Sequence, residues 1–428
     1  MDDLLAGCTA FLLAHGYDAY LVGGTVRDQE LGRRSQDIDL AVPASALQIA
    51  RKLADHFGGA YYPLDAERET GRVVMPDHAT IDVSLLRGAA IEADLAARDF
   101  TINAMARRLA QPEILLDPHH GLRDLREHRL RAVGDHIFEQ DPARLLRAVR
   151  LAAELGLTIE PETCTLIQRD VALIAGLAGE RARDEILRIF QRPYAAASVR
   201  LLAQLRLLAP TLPHAAADEA HLEIAERLGE LNVDSTLRSA PVTAVLTEFA
   251  ALLDQDLSSD LHTGRTNGAI IKLAALYDRP QAVTSDLGAL RFRRDEIQYG
   301  RMLAAERGRI RELSLPVTAL AAHRFFRDSG SRSGRMGLML LALAEAPQGA
   351  GSDQRIHAVR ALLAYYRDSY DRVIAPKPLV SGAELAARFG LQGRQIGDGL
   401  KAVVEAQVEG TIRTVAEAER FFGGGASD

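Results

Sequence analysis

The sequence predicts an α/β domain over residues 1–122 and an all-helical chain after it. Three observations carry this reading. Short apolar runs alternate with helical patterns before about residue 120. Segments rich in Leu, Ala and Arg with a 3.6-residue period dominate beyond it. The 428 residues, 47% hydrophobic and 25% charged, exceed one ordinary domain and suffice for two to four.

Residues 3–15 have helical periodicity. Ala19–Val22 is a short apolar run ended by Gly23-Gly24, and a helix is expected from Thr25 to Leu31. Residues 36–42 (QDIDLAV) alternate as a strand, 45–57 read as a helix, and 60–64, 72–75 and 79–85 as strands separated by turn residues. Downstream, LLRAVRLAAEL (145–155) and DEILRIF (184–190) are strongly amphipathic. A softer break falls near 191–195, Gly- and Ser-rich punctuation at 329–334 and 348–353, and PKP at 376–378 sets off a last unit of 377–422. The tail GGGASD is expected to be disordered. There is no short-period repeat.

Composition excludes several classes. No run of about 18 apolar residues escapes interruption by charge, so no membrane span is expected. The start is acidic and then amphipathic, without the basic opening of a secretory signal. Cys8 and Cys164 suit neither a zinc site nor a disulfide framework, which fits a reduced, cytoplasmic setting. A net charge of −7 by itself argues against a nucleic-acid partner. Its distribution argues otherwise. Residues 213–260 hold ten acids against Arg227 and Arg238, whereas 291–335 hold eleven arginines against five acids. Such segregation is what a phosphate-binding face on an acidic protein requires, though solvated helix faces give the same counts.

The chemistry centres on Asp37 and Asp39. At i and i+2 on a strand their carboxylates share one face. Two carboxylates so close repel unless a cation lies between them, and a hard ion such as Mg²⁺ takes oxygen ligands. Two metals so held can activate a 3′ hydroxyl and stabilise a leaving pyrophosphate. An isolated Asp-x-Asp is more often an exposed strand edge. Here YLVGGTVRD (20–28) precedes it: strand, two glycines, helix start, a turn that lets backbone approach a phosphate. Asp82, in TIDVSLLR (80–87), could add a third carboxylate or be a plain surface residue. Asp141 and Arg144, three apart on an expected helix face, offer acceptors and a planar donor fork that together match the edge of cytosine or adenine. A surface ion pair has the same spacing.

These residues come in a recognisable order. GGTVRD, QDIDLAV, ARDFTINAMA (97–106), DPHHGLRDL (117–125), DPARLLRAVRLAAELGLTIEPET (141–163) and ERARDEILRIF (180–190) together resemble the class II tRNA nucleotidyltransferases, the bacterial CCA-adding and poly(A) polymerase family. The likeness covers 20–190, and more weakly 377–422. It implies a polymerase-beta-like palm in a mixed-sheet head (1–122), a helical neck that recognises the base (123–192), a helical RNA-binding body (193–375) and a tRNA-binding tail (376–428). It implies Asp37 and Asp39 as metal ligands, with Asp82 as third catalytic carboxylate. Gly23 and Gly24 would face the triphosphate, and Arg27 would be among the nucleotide-binding residues. Arg98, Asp99 and Asn103 would read the ribose, Asp124 would lie in a hinge motif, and Asp141, Arg144 and Arg147 would read the base. The implied substrates are CTP and ATP, the cofactor Mg²⁺, and the partner tRNA.

Four departures from the family pattern matter. Ala97 replaces the first of two arginines before Asp-Phe-Thr, and Gln140 stands where Glu is common. The connection between Arg87 and Arg98, GAAIEADLAA, is short. Members that add the terminal adenosine resemble one another in having a longer flexible loop there, so a CC-adding enzyme working with a separate A-adding enzyme is favoured. Tyr277 stands where a His would be needed before Asp278, so an intact His-Asp metal site is not expected in the body. Poly(A) polymerase and an inert RNA-binding protein of the same fold are the competing readings.

Overall fold

The computed structural model describes residues 2–33, 37–230, 240–257, 267–328, 332–346 and 353–423. The expected breaks at 329–331 and 348–352 and the tail 424–428 lie outside the described residues. The chain forms two compact units: Met1–Glu185 with Leu201–Thr211, and Ile186–Arg200 with Leu212–Asp428.

The first unit opens with α1 (Asp2–Ala14), β1 (Tyr20–Val22), α2 (Gly23–Glu30), β2 (Asp37–Val42), α3 (Ala46–Phe57), β3 (Ala60–Asp65), β4 (Thr70–Val74) and β5 (Thr80–Leu85). There follow α4 (Ile91–Ala96), β6 (Ala106–Arg108), β7 (Gln111–Leu116) and α5 (Gly121–Arg126). Among the described residues these strands make one seven-stranded sheet, ordered β3-β4-β5-β2-β1-β6-β7. Only the central β2–β5 pair is parallel; its neighbours are antiparallel, so the sheet is mixed. The parallel crossover runs through α3, whose Ile49, Ala50, Leu53 and Ala54 are buried toward the sheet. Gly71 in β4 permits that approach, since a methyl there would come within 2.8 Å of Ala50 Cβ.

Two features were not foreseen. The helix after β1 starts at Gly23 rather than Thr25, because the chain turns at Gly23 itself. The strands β6 and β7 are short or exposed and carry no clean alternation, so periodicity does not reveal them. Helical structure then takes over, as expected: α6 (Ile137–Gln140), α7 (Ala143–Leu155), α8 (Pro161–Asp170) and α9 (Gly179–Phe190). A small parallel pair, β8 (Arg129–Leu130) with β9 (Thr158–Ile159), interrupts it.

The described second unit is helical. Its last segment buries a cluster of its own, including Val380, Leu385, Val403 and Ala418. Ser381 and Glu384 form a reciprocal cap at the start of the helix Gly382–Phe389. No described helix is long and apolar enough to cross a membrane.

Candidate functional site

Strand register assembles the acidic cluster. Asp39 in β2 lies opposite Asp82 in β5, and Arg72 in β4 lies opposite Asp82. The three therefore stand in one row across three strands. Ile38 and Leu40, 1% exposed, anchor the other face of β2 in the core, which turns Asp37 and Asp39 away from it. Asp37 is exposed and accepts a hydrogen bond from Thr80 Oγ1 at 2.6 Å. Asp82 accepts two bonds from Arg72, each 2.7 Å.

Asp39 is the perturbed member. Burial pushes its carboxyl up to about 6, and Asp82 and Asp37 push the same way against Arg98 and Arg27. Burial is the main cause and the two neighbouring carboxylates add to it, so a cation placed here would favour the ionised form. Among the described residues no three His, Cys, Asp or Glu side chains form a ready-made metal site. Two carboxylates are what the sequence offers, with Asp82 engaged by Arg72.

The glycine turn lies against this row. Gly23 has φ 67°, and a methyl on it would lie 2.8 Å from Arg98 Nη1 and 3.4 Å from Asp39 Oδ2. A side chain there would be strained by the backbone and would have to displace Arg98. Thr25, one turn into α2, pins β2 beside it: its hydroxyl donates to Asp37 O at 3.2 Å and accepts from Asp39 N–H at 2.9 Å.

A relay of side chains leads away from the turn. Arg27 donates to Asn103 Oδ1 at 2.8 Å, and Asn103 donates to Asp99 Oδ1 at 3.0 Å. Arg147 donates to Asp99 at 3.2 Å and to Glu185 at 3.1 Å, and Arg150 takes the other Glu185 oxygen at 2.7 Å. Burial alone would raise the Asp99 carboxyl, but Arg147, Asn103 and the Phe100 N–H outweigh it and hold it below its ordinary value. Arg27, Asp99, Asn103 and Arg147 are expected from the sequence; Arg150 and Glu185 are not.

Asp141 and Arg144 do not share a helix face. Asp141 has φ −154° and precedes α7, because Pro142 makes the chain enter the helix abruptly. Its carboxylate accepts Ala143 N–H at 3.1 Å and Arg181 at 2.9 Å. The 6%-exposed Arg144 donates to Ala97 O at 2.9 Å, Ile137 O at 3.2 Å and Arg98 O at 3.4 Å, and to Gln140 Oε1 at 3.4 Å. Its buried Nε has no hydrogen-bond partner. Both residues nonetheless line one cavity of about 400 Å³ with Ser84, Arg87 and Arg147. A second cavity of about 390 Å³ is lined by Gly23, Gly24, Asp39, Asp82, Arg98, Asp99 and Asn103 and shares Thr70, Ser84, Arg87 and Arg147 with the first. The shared lining makes them two ends of one site.

Asp124 lies outside both cavities. It is 4% exposed and accepts from Thr101 Oγ1 at 2.6 Å and Arg131 Nε at 2.9 Å, so it fastens the single turn Thr101–Asn103 from behind. In the second unit, Tyr277 is buried and donates to Asp286 at 3.0 Å, while Asp278 is exposed and pairs with His221. Several arginines of the 291–335 stretch are spent internally: Arg307 and Arg311 pair with Glu345, and Arg324 and Arg327 with Glu405.

Thr25, Arg72, Arg87 and Arg181 touch or position this site and were not singled out from sequence. The strand pattern 70–85 contained the signal for Arg72, since residues ten apart across a tight hairpin face one another. Nothing local marks the other three.

Residues 19–131 match the family described as the Poly A polymerase head domain, and 156–219 the probable RNA and SrmB-binding site of polymerase A. The chain is 33% identical to a CC-adding tRNA nucleotidyltransferase of Geobacter sulfurreducens, over 98% of this chain and 94% of that one. It is 32% identical to an A-adding tRNA nucleotidyltransferase of Deinococcus radiodurans, over 94% of each. A solved complex of a CCA-adding enzyme with ATP shares the fold, with a TM-score of 0.74 at 22% identity over 99% of this chain and 95% of that one.

Proposed function

The chain belongs to the class II tRNA nucleotidyltransferases, and from that premise we propose that it adds cytidine from CTP to the 3′ end of tRNA without a template. The observation that carries this is the pair of cavities lined in common by Thr70, Ser84, Arg87 and Arg147: one is acidic and glycine-lined at Asp39, the other has donors and acceptors at Arg144 and Asp141.

On this reading, Asp37 and Asp39 would hold Mg²⁺; two carboxylates on one face of a strand, with Asp82 opposite Asp39, are a donor set that fits a hard cation. Bound there, Mg²⁺ would supply Lewis-acid chemistry to the RNA 3′ hydroxyl and to the departing pyrophosphate. The chain supplies the rest. Gly23 and Gly24 bring backbone close to the triphosphate, and Arg98 lies over them. Asp99 and Asn103, locked by Arg27 and Arg147, face the sugar. Arg144 and Asp141 line the end where a base would lie, and Asp141 accepts from an exocyclic amine. That edge is common to cytosine and adenine, so it selects against uracil and guanine rather than between the two.

CC addition is supported by the 88–97 connection. It is a short helix pinned at both ends: Ile91 and Leu95 are buried, and Asp94 receives Arg87 N–H at 3.1 Å and Arg98 Nε at 2.9 Å. Such an element has little freedom to remodel the site between nucleotides. A separate A-adding enzyme would then finish the tRNA. We assign residues 1–122 to the head, 123–192 to the neck, 193–375 to the body and 376–428 to the tail, the last two gripping tRNA through shape and phosphates. The free thiols Cys8 and Cys164 suit the cytoplasm. The test is the product ladder on tRNA lacking CCA, with CTP alone, ATP alone and both. Two cytidines and no adenosine are expected. Processive ATP addition without use of CTP would instead make this a poly(A) polymerase.

A further inference from the structure

The carboxylate that pins the 88–97 connection also bears on the triphosphate end of the cavity. Asp94 in α4 is 2% exposed. A carboxylate so buried persists only when its oxygens are satisfied. Oδ1 accepts Arg87 N–H at 3.1 Å, and Oδ2 accepts Arg98 Nε at 2.9 Å with Nη2 at 2.8 Å. Arg98 is thereby gripped on one edge of its guanidinium. Its remaining nitrogen, Nη1, reaches to the glycine turn, 2.8 Å from where a Gly23 methyl would be. Arg87 is held in turn by the same segment, its Nη1 donating to Ala97 O at 2.8 Å. Asp94, Arg87 and Arg98 line the cavity that also contains Gly23, Asp39 and Asp82.

We propose that Asp94 is a positioning residue for triphosphate binding: it seats Arg98 over the Gly23 turn and holds the Arg87 backbone N–H against the same helix. This rests on the nucleotidyltransferase reading. The argument is one of hydrogen-bond direction. The two oxygens serve an amide N–H and a guanidinium at once. An amide in its place has one acceptor oxygen: turned to Arg98 it abandons Arg87 N–H, and turned to Arg87 it faces the guanidinium with donors. Asp94→Asn therefore keeps the shape, removes the charge that holds Arg98 and loosens its seat.

The experiment measures inhibition by inorganic tripolyphosphate and by cytidine separately, alongside CTP kinetics on tRNA. In Asp94→Asn, KM for CTP and the tripolyphosphate constant should each rise about tenfold, with kcat and cytidine binding changed less than about threefold. Arg98→Lys, which leaves Asp94 intact and keeps the charge but cannot fill the two-point seat, should weaken tripolyphosphate to a similar degree. Equal loss of cytidine and tripolyphosphate in Asp94→Asn would overturn the proposal. So would Arg98→Lys binding tripolyphosphate as tightly as the unaltered chain, an arm that holds even if Asp94→Asn fails to fold. A protein that shows this dependence for tripolyphosphate but transfers no nucleotide overturns the nucleotidyltransferase reading and leaves the role of Asp94 standing.

Discussion

The two ends of the cavity are held by different means. At the acidic end, Asp39, Asp82 and Arg72 are neighbours because three strands pair in one register. At the other end, Arg144 is held mainly by the carbonyls of Ala97, Arg98 and Ile137, and Asp141 by Arg181. A register is a local, repetitive device: slip it by one residue and every side chain changes face. A guanidinium held by loop carbonyls depends on where helices and loops from distant parts of the chain come to rest. The first kind of site tolerates little change at the reacting atoms. The second can be retuned by altering the loop, which is where the short 88–97 connection acts.

The largest effect should come from the acidic end. Asp37→Ala or Asp39→Ala should each lower CTP incorporation by about 10³-fold or more, while tRNA retention on filters is unchanged. Wild-type turnover in either variant would remove the row from the chemistry. At the other end, Arg144→Ala should cost about 10²-fold in kcat/KM and flatten the preference among nucleotides. It also strips donors from buried carbonyls, so thermal unfolding should show a loss of about 1–3 kcal/mol. A variant with intact nucleotide choice would show that Arg144 only braces the loop.

Where the two devices meet, Gly23→Ala forces a side chain onto a residue with φ 67° and into Arg98. The backbone alone should cost about 1–2 kcal/mol, read as a lowered Tm, with KM for CTP raised as Arg98 moves. Thr25→Val removes both bonds to β2 and should cost about 1–2 kcal/mol, with kcat falling more than KM rises. Unchanged kcat would mean that strand pairing alone places Asp39.

The smallest effect is expected in the second unit. Arg324 holds the Glu405 carboxyl down at about 2, with burial opposing and Arg327 assisting. The ion pair is formed at neutral pH. Its contribution declines as pH falls from the ordinary glutamate value of 4.5 toward about 2. Because Arg324 is half exposed, Glu405→Gln should cost less than about 1 kcal/mol at pH 7 and flatten the acid dependence of unfolding in that window. A steeper dependence in the variant would contradict the assignment.

Much of this was legible in the chain. Alternation in QDIDLAV turned Asp37 and Asp39 to one face, and the helical periods after residue 120 announced the change of architecture. Asp141 and Arg144 were legible as a pair but not as a geometry, because Pro142 starts the helix between them. Arg181 and Glu185 carry no local mark, since what they do depends on α9 lying beside α7. Arginine counts over 291–335 suggested a phosphate face, yet several of those charges are matched by Glu345 and Glu405, which lie outside that stretch.

The sequence by itself therefore determined the elements whose pattern is periodic and local: the strand carrying Asp37 and Asp39, the glycine turn before it, and the helical remainder. Only the tertiary structure decided that Asp39 meets Asp82 and Arg72, that Asp94 grips Arg98 from behind, and that Arg144 keeps one buried donor unpaired. The physical reason is range. Periodicity and turn chemistry act over a few residues, whereas hydrogen-bond partners 43 to 47 positions apart are chosen by strand order and packing.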